Sequence, residues 1–78
     1  MELEPRILKV LQGIKGSEIH PTSDESLFQS GLLDSFALTD FVSGLEQEFG
    51  ISIPDSDLSA RKFDTITKVA DYISAKSA

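Results

Sequence analysis

The sequence predicts an all-α fold: a small four-helix bundle of three main helices and one short one, with a long loop after the first helix. Three observations carry this. Apolar residues recur at helical spacing in three separate segments, cap-forming residues bound those segments, and only one short stretch alternates like a strand. A strand with no partner to pair with is not stable. The chain has 78 residues, 40% of them hydrophobic, which suits one domain over residues 1–78 with a single core. It contains no cysteine, so packing rather than disulfides must stabilise it.

The first helix is expected over Glu4 to Ile14, where Ile7, Leu8, Leu11 and Ile14 form one stripe. Pro5 suits its first turn, where a missing N–H costs nothing, and Gly13 and Gly16 offer a stop. From Ser17 to Asp34 the chain is irregular, with Pro21, Thr22, Ser23, Asp24 and Ser26 as turn formers. A loop this long in a compact domain tends to be functional or to hide a helical turn. Leu27, Phe28, Leu32 and Leu33 are expected to pin it to the core.

The second helix carries the strongest pattern. Leu38, Phe41, Val42, Leu45 and Phe49 follow a buried stripe, Asp40, Ser43, Glu46 and Gln47 point outward, and Gly50 ends it. "ISIPDSDL" then reads as an extended connector whose Ile51 and Ile53 plug the core. Pro54 and Asp55 start a short helical turn through about Arg61 that turns Leu58 inward, closed by Phe63. The last helix begins at Asp64 or Thr65, both good caps. Ile66, Val69, Ala70 and Ile73 form its stripe before a polar "SAKSA" tail.

Charge is distributed unevenly. Residues 16–60 hold nine acids and no base, a charge of −9, while the flanks hold seven bases and four acids, a charge of +3. The middle of the chain therefore repels nucleic acid and anionic lipid and attracts basic protein surfaces, although charge alone favours reading it as a solvated acidic face that aids solubility. No secretory signal shows in "MELEPRILKVLQ" and no apolar run reaches bilayer length, so a cytoplasmic protein without stable membrane insertion is expected. The initial methionine and short tail suggest a discrete polypeptide, expected to act as a monomer.

Little in the residues supports catalysis. His20, the one histidine, sits in the loop, and no nucleophile-elbow glycines surround Ser35. With one histidine and no cysteine, a zinc centre is not expected, and "DESLFQSGLLD" lacks the order of a calcium loop. What remains is "GLLDSFALTDF", where Asp34 and Ser35 stand between a glycine turn and a helix. On the residues alone two readings stay open. Ser35 is a helix cap, or its hydroxyl holds something covalently where the helix N-terminus favours negative charge.

"LFQSGLLDSFALTDFVSGLEQEFGISIP" resembles the core of acyl and peptidyl carrier proteins. The matching pieces are Leu27-Phe28, Gly31, Leu33, Asp34-Ser35-Phe36, Glu46, Phe49-Gly50, Ile53 and Pro54, with Thr65-Ile66 and Asp71-Tyr72-Ile73 later on. The resemblance implies a covalent 4′-phosphopantetheine arm, taken from coenzyme A and attached to Ser35, holding acyl or aminoacyl cargo as a thioester. It implies three kinds of partner: a phosphopantetheinyl transferase, a cargo-loading ligase or acyltransferase, and downstream synthase or transferase enzymes. Asp34 would flank the attachment point and help to position the transferase. Phe36 would be an apolar anchor for partners, with Asp40, Glu46 and Glu48 steering their basic patches. No residue of the chain is assigned a catalytic role.

The chain departs from the fatty-acid type in three ways. Its charge of −6 is milder, Ala37 and Leu38 replace an acid after Phe36, and the Pro54–Thr65 segment is longer. "DLSARKFDT" is similar to D-alanyl and stand-alone peptidyl carriers, which implies a specialised carrier rather than the main fatty-acid one. Arg61 and Lys62 would alter which partners dock. The alternative is a small acidic helical adaptor in which Ser35 only caps the helix.

Overall fold

The computed structural model describes residues 3–77, with side chains to Lys76; Met1, on which the reading of a discrete polypeptide rests, lies outside them. Four helices appear: α1 (Leu3–Lys15), α2 (Ser35–Phe49), α3 (Ala60–Phe63) and α4 (Ile66–Ser77). Among the described residues no strand forms. The sequence-predicted bundle of three main helices and one short one is the observed architecture.

Ile7 and Leu11, one turn apart, are fully buried on α1, with Leu8, Val10 and Ile14 half-buried around them. Gly16 stops the helix at φ 119°, its N–H donating to the Gln12 carbonyl at 2.8 Å. On α2 the buried set is Ala37, Leu38, Phe41, Val42 and Leu45. That helix ends at Gly50 in the left-handed region, φ 64°, with its N–H on the Glu46 carbonyl.

Two contacts show that α1 and α2 run antiparallel. Near one end Arg6 donates to the Glu48 carboxylate and to its carbonyl, each at 2.8 Å, and its guanidinium lies 4.3 Å above the Phe49 ring. Farther along, Val10 faces Gly44. A Cβ added at Gly44 would stand 2.7 Å from Cγ1 of Val10. A β-branched residue on a helix has essentially one rotamer, so Val10 cannot swing aside. Gly44→Ala should therefore destabilise the chain. Overpacking costs about 1–3 kcal/mol, offset by about 1 kcal/mol of helix propensity. Urea unfolding should show a net loss, and Gly44→Ala combined with Val10→Ala should recover part of it.

The connector after α2 is extended, with Ile53 buried and Ile51 half-buried. Glu46 holds it, accepting the Ile53 N–H on its carboxylate at 2.7 Å. The expected single turn from Pro54 to Arg61 is instead two pieces: a 3₁₀ turn over Asp55–Asp57, then α3. Leu58 and Ser59 between them are extended, with ψ of 94° and 154°. The break has a packing reason: the extended pair separates Leu58, half-buried against the core, from Phe63, which is fully buried.

Thr65, rather than Asp64, caps α4. Its hydroxyl accepts the Lys68 N–H at 3.0 Å, and its carbonyl accepts the Val69 N–H. Ile66, Val69 and Ile73 are buried beneath. The helix runs on through the serines and alanine expected to form a tail, ending at Ser77. Asp64 turns to the long loop instead. Its carboxylate accepts from the Ser26 hydroxyl (2.7 Å) and the Phe28 N–H (3.3 Å), while its carbonyl accepts the Leu27 N–H (2.6 Å). Ser23 and Thr67 add a second link, the Thr67 N–H donating to the Ser23 carbonyl. The loop is thus clamped from the α3–α4 corner, which fixes the chain that leads into α2.

Candidate functional site

The start of α2 is built by the residues just before it. Ser26 accepts the Gln29 N–H on its hydroxyl, and Ser30 N–H donates to the Ser26 carbonyl, so residues 26–31 form one hydrogen-bonded turn. Gly31 leaves that turn at φ 85°, and Leu33 N–H returns to the Leu27 carbonyl. Leu33 is buried one residue before the cap and Leu38 four residues after it. That placement is a hydrophobic staple, which sets the angle at which the chain enters a helix.

Asp34 is the cap. In extended conformation, it accepts the Phe36 N–H (3.0 Å) and Ala37 N–H (2.8 Å) on the same carboxylate oxygen. The reading of Ser35 as a helix cap is therefore corrected. Ser35 is the first helical residue, exposed, and among the described residues its hydroxyl has no hydrogen bond. Its carbonyl is engaged instead, accepting the Thr39 hydroxyl at 3.4 Å. The next side chain, Phe36, is 86% exposed. A free hydroxyl and an unburied phenyl ring stand together on a rigid, capped helix start.

The other acidic residues divide. Asp40 is exposed five residues after Ser35, about 7.5 Å along the axis. Glu46 and Glu48 lie at the far end of α2, about 16 Å or more from Ser35 along the axis. There Glu46 holds the Ile53 N–H and Glu48 pairs with Arg6. The structure brings Asp34, Ser35 and Phe36 together, with Asp40 near by, and leaves Glu46 and Glu48 apart. His20 is exposed in the loop, and no hydrogen bond joins it to Ser35 among the described residues.

A second polar cluster gave no sequence signal. Tyr72 donates its hydroxyl to one oxygen of Asp57, and Lys62 Nζ lies 3.1 Å from the other. The Tyr72 ring packs against Phe63, centroids 5.2 Å apart and tilted at 57°. Burial, then the hydrogen bond to the Asp57 carboxylate, pushes the phenol up to about 12 from its ordinary 10. The hydrogen bonds from Tyr72 and Lys62 hold the Asp57 carboxyl below its usual range. The signs follow from linkage. The raised phenol contributes stability that is complete below about pH 10 and lost as pH rises through about 12. The lowered carboxyl contributes stability present above its ordinary pKa and lost on acidification. Tyr72 is the only tyrosine and there is no tryptophan, so tyrosinate absorbance reports it directly. Its midpoint should be near 12 in the wild type. Asp57→Asn should lower it only part of the way to 10, because burial is the larger cause.

The phosphopantetheine attachment site family matches residues 6–73. Among curated proteins the chain is similar to the D-alanyl carrier protein of Leuconostoc mesenteroides, 35% identical over 69 residues, 88% of each chain. It is also similar to the D-alanyl carrier proteins of Lactobacillus acidophilus, 29% identical over 88% of this chain and 87% of that one, and Streptococcus mutans, 27% identical over 94% and 92%. The group this family bears is 4′-phosphopantetheine, and an exposed, unbonded serine hydroxyl at a capped helix start fits its attachment. The chain belongs to the carrier proteins that bear a phosphopantetheine attachment site.

Proposed function

We propose that Ser35 bears the arm and that the cargo is an aminoacyl group of the D-alanyl kind. The observation that carries the first part is the division of labour between neighbours: Asp34 satisfies the helix N-terminus, leaving the Ser35 hydroxyl with nothing else to do. Once attached, the arm supplies a terminal thiol that holds cargo as a thioester. The chain's own residues supply placement. The Asp34 cap and the Leu33–Leu38 staple hold Ser35 at a fixed point, so a transferase meets one geometry. The hydroxyl needs exposure rather than activation, because a phosphopantetheinyl transferase supplies the base. In that step the Ser35 Oγ–phosphorus bond would form as the pyrophosphate P–O bond of coenzyme A breaks, adenosine 3′,5′-bisphosphate would leave, and the hydroxyl proton would pass to the transferase's base.

Phe36 is the apolar contact for that enzyme and for a cargo-loading ligase, with Asp40 and the Asp34 carboxylate as the acidic groups beside it. Glu46 and Glu48 serve chiefly to hold the connector and Arg6, and contribute to steering through the field alone. Catalysis belongs to the partners, and the carrier itself works in the cytoplasm. The names of the relatives support an aminoacyl cargo.

The test is intact-protein mass spectrometry after incubation with coenzyme A and a broad-specificity transferase, followed by digestion to locate the gain. One arm on the peptide containing Ser35 is the expected result; no gain with several transferases on folded protein would sink the proposal. Adding D-alanine, ATP and a D-alanyl ligase to the modified chain should then give a second gain that hydroxylamine removes. If only a fatty-acyl ligase loads the arm, the cargo assignment fails and the Ser35 assignment stands.

A further inference from the structure

Four of the chain's seven bases surround one tyrosine. Arg61 and Lys62 on α3 and Lys68 on α4 line, with Asp71 and Tyr72, a shallow groove of about 350 Å³. Lys62 and Lys76 place their ammonium groups 5.8 and 5.9 Å from the centre of the Tyr72 ring. Of the four, Lys62 is paired with Asp57; among the described residues no ion pair joins Arg61, Lys68 or Lys76 to a carboxylate. Asp57 is occupied by Tyr72 and Lys62, so Asp71 is the one acid on the groove's lining. In a chain with 13 acids and seven bases, collecting cations that the chain's own acids leave unpaired runs against simple electrostatics. Nothing in the packing of α3 on α4 requires it, because Phe63, Ile66 and Val69 do that work from the buried side.

We propose that this groove is a second docking surface and that it takes a short acidic segment of a partner protein, with an apolar side chain seated against Tyr72. Charge complementarity selects the sign of the partner. The mostly apolar lining, shared by Tyr72 with Arg61, Lys62, Lys68 and Asp71, selects a peptide over a free phosphate, which would need converging donors. The net charge of −6 selects a short segment over a nucleic acid or an anionic bilayer, whose extended fields would meet the acidic remainder of the chain. The groove also lies apart from Ser35. None of Asp34, Ser35 and Phe36 lines it. A partner held here leaves the α2 start free for a second enzyme.

The probe is a short fluorescein-labelled peptide of glutamates interrupted by leucines, titrated into the full chain at low salt. Anisotropy should saturate, and amide shifts should be confined to Arg61, Lys62, Lys68, Tyr72, Lys76 and their neighbours. The double variant Arg61→Glu/Lys68→Glu should weaken binding by roughly tenfold or more, with an unchanged circular dichroism spectrum because both residues are exposed. Ser35→Ala should bind as the wild type does, so the result is independent of the arm. Equal affinity for an all-glutamate peptide, or shifts that spread to Lys9 and Lys15, would reduce the effect to unspecific attraction and overturn the groove. Co-sedimentation with phosphatidylglycerol vesicles in the absence of peptide binding would overturn it in favour of a membrane.

Discussion

Ser35→Ala should abolish arm attachment and leave stability within about 0.5 kcal/mol of the wild type. The two halves of that expectation have separate physical causes. Attachment is lost because the hydroxyl is the atom modified. Stability is kept because that hydroxyl makes no hydrogen bond among the described residues and the side chain is exposed. Alanine is also the better helix former at an interior position, by a few tenths of a kcal/mol. The neighbouring change has the opposite profile. Asp34→Ala strips the acceptor from the Phe36 and Ala37 N–H groups and should cost about 0.5–2 kcal/mol, yet it still presents a serine to a transferase. Urea unfolding and intact-mass measurement on both variants resolve the two roles. An arm still gained by Ser35→Ala would move the attachment point to another exposed serine, such as Ser30 or Ser43.

How far the site was readable depends on the range of the interaction that makes it. The apolar stripe of α2 and the glycine that ends it are local, repeat along the chain, and are visible in the sequence. So is the junction itself, since a glycine, a buried leucine and a cap-forming residue occur in order. Which of Asp34 and Ser35 caps was not readable. Both residue types accept from helix N–H groups, and the choice depends on which of them stays extended, a matter settled by how Leu33 reaches the core. Glu46 shows a different limit. Helical phase places it on the outer side of the stripe, but its side chain folds past Gly50 to the Ile53 N–H. Phase gives the direction of a Cβ, not the end point of a long flexible chain. The Asp57–Tyr72 and Arg6–Glu48 contacts join residues 15 and 42 positions apart, with no period or motif to announce them.

Phe63→Ala should be the most destabilising single change in the α3–α4 corner. Four residues make no stable helix alone, since nucleation consumes more conformational freedom than one turn of hydrogen bonds returns. What holds α3 is its last residue, a fully buried phenylalanine packed against Tyr72. Truncating it should cost about 3–5 kcal/mol, against a total of about 4–12 kcal/mol for a chain of this length. The consequence reaches the start of α2. Asp64, the next residue, holds Ser26, Leu27 and Phe28, and through them the turn that delivers Leu33 and Asp34 to the start of α2. Loosening the corner should therefore expose the loop amides of Leu27 and Leu33 to hydrogen exchange and slow arm attachment at Ser35. Phe63→Leu keeps most of the volume and should lose far less, with arm attachment close to normal. Urea unfolding followed by circular dichroism, with hydrogen exchange at Leu27 and Leu33, reads both effects. If Phe63→Leu and Phe63→Ala proved equally stable, or if the loop amides stayed protected in the alanine variant, the α3–α4 corner would not be what holds Ser35 in place.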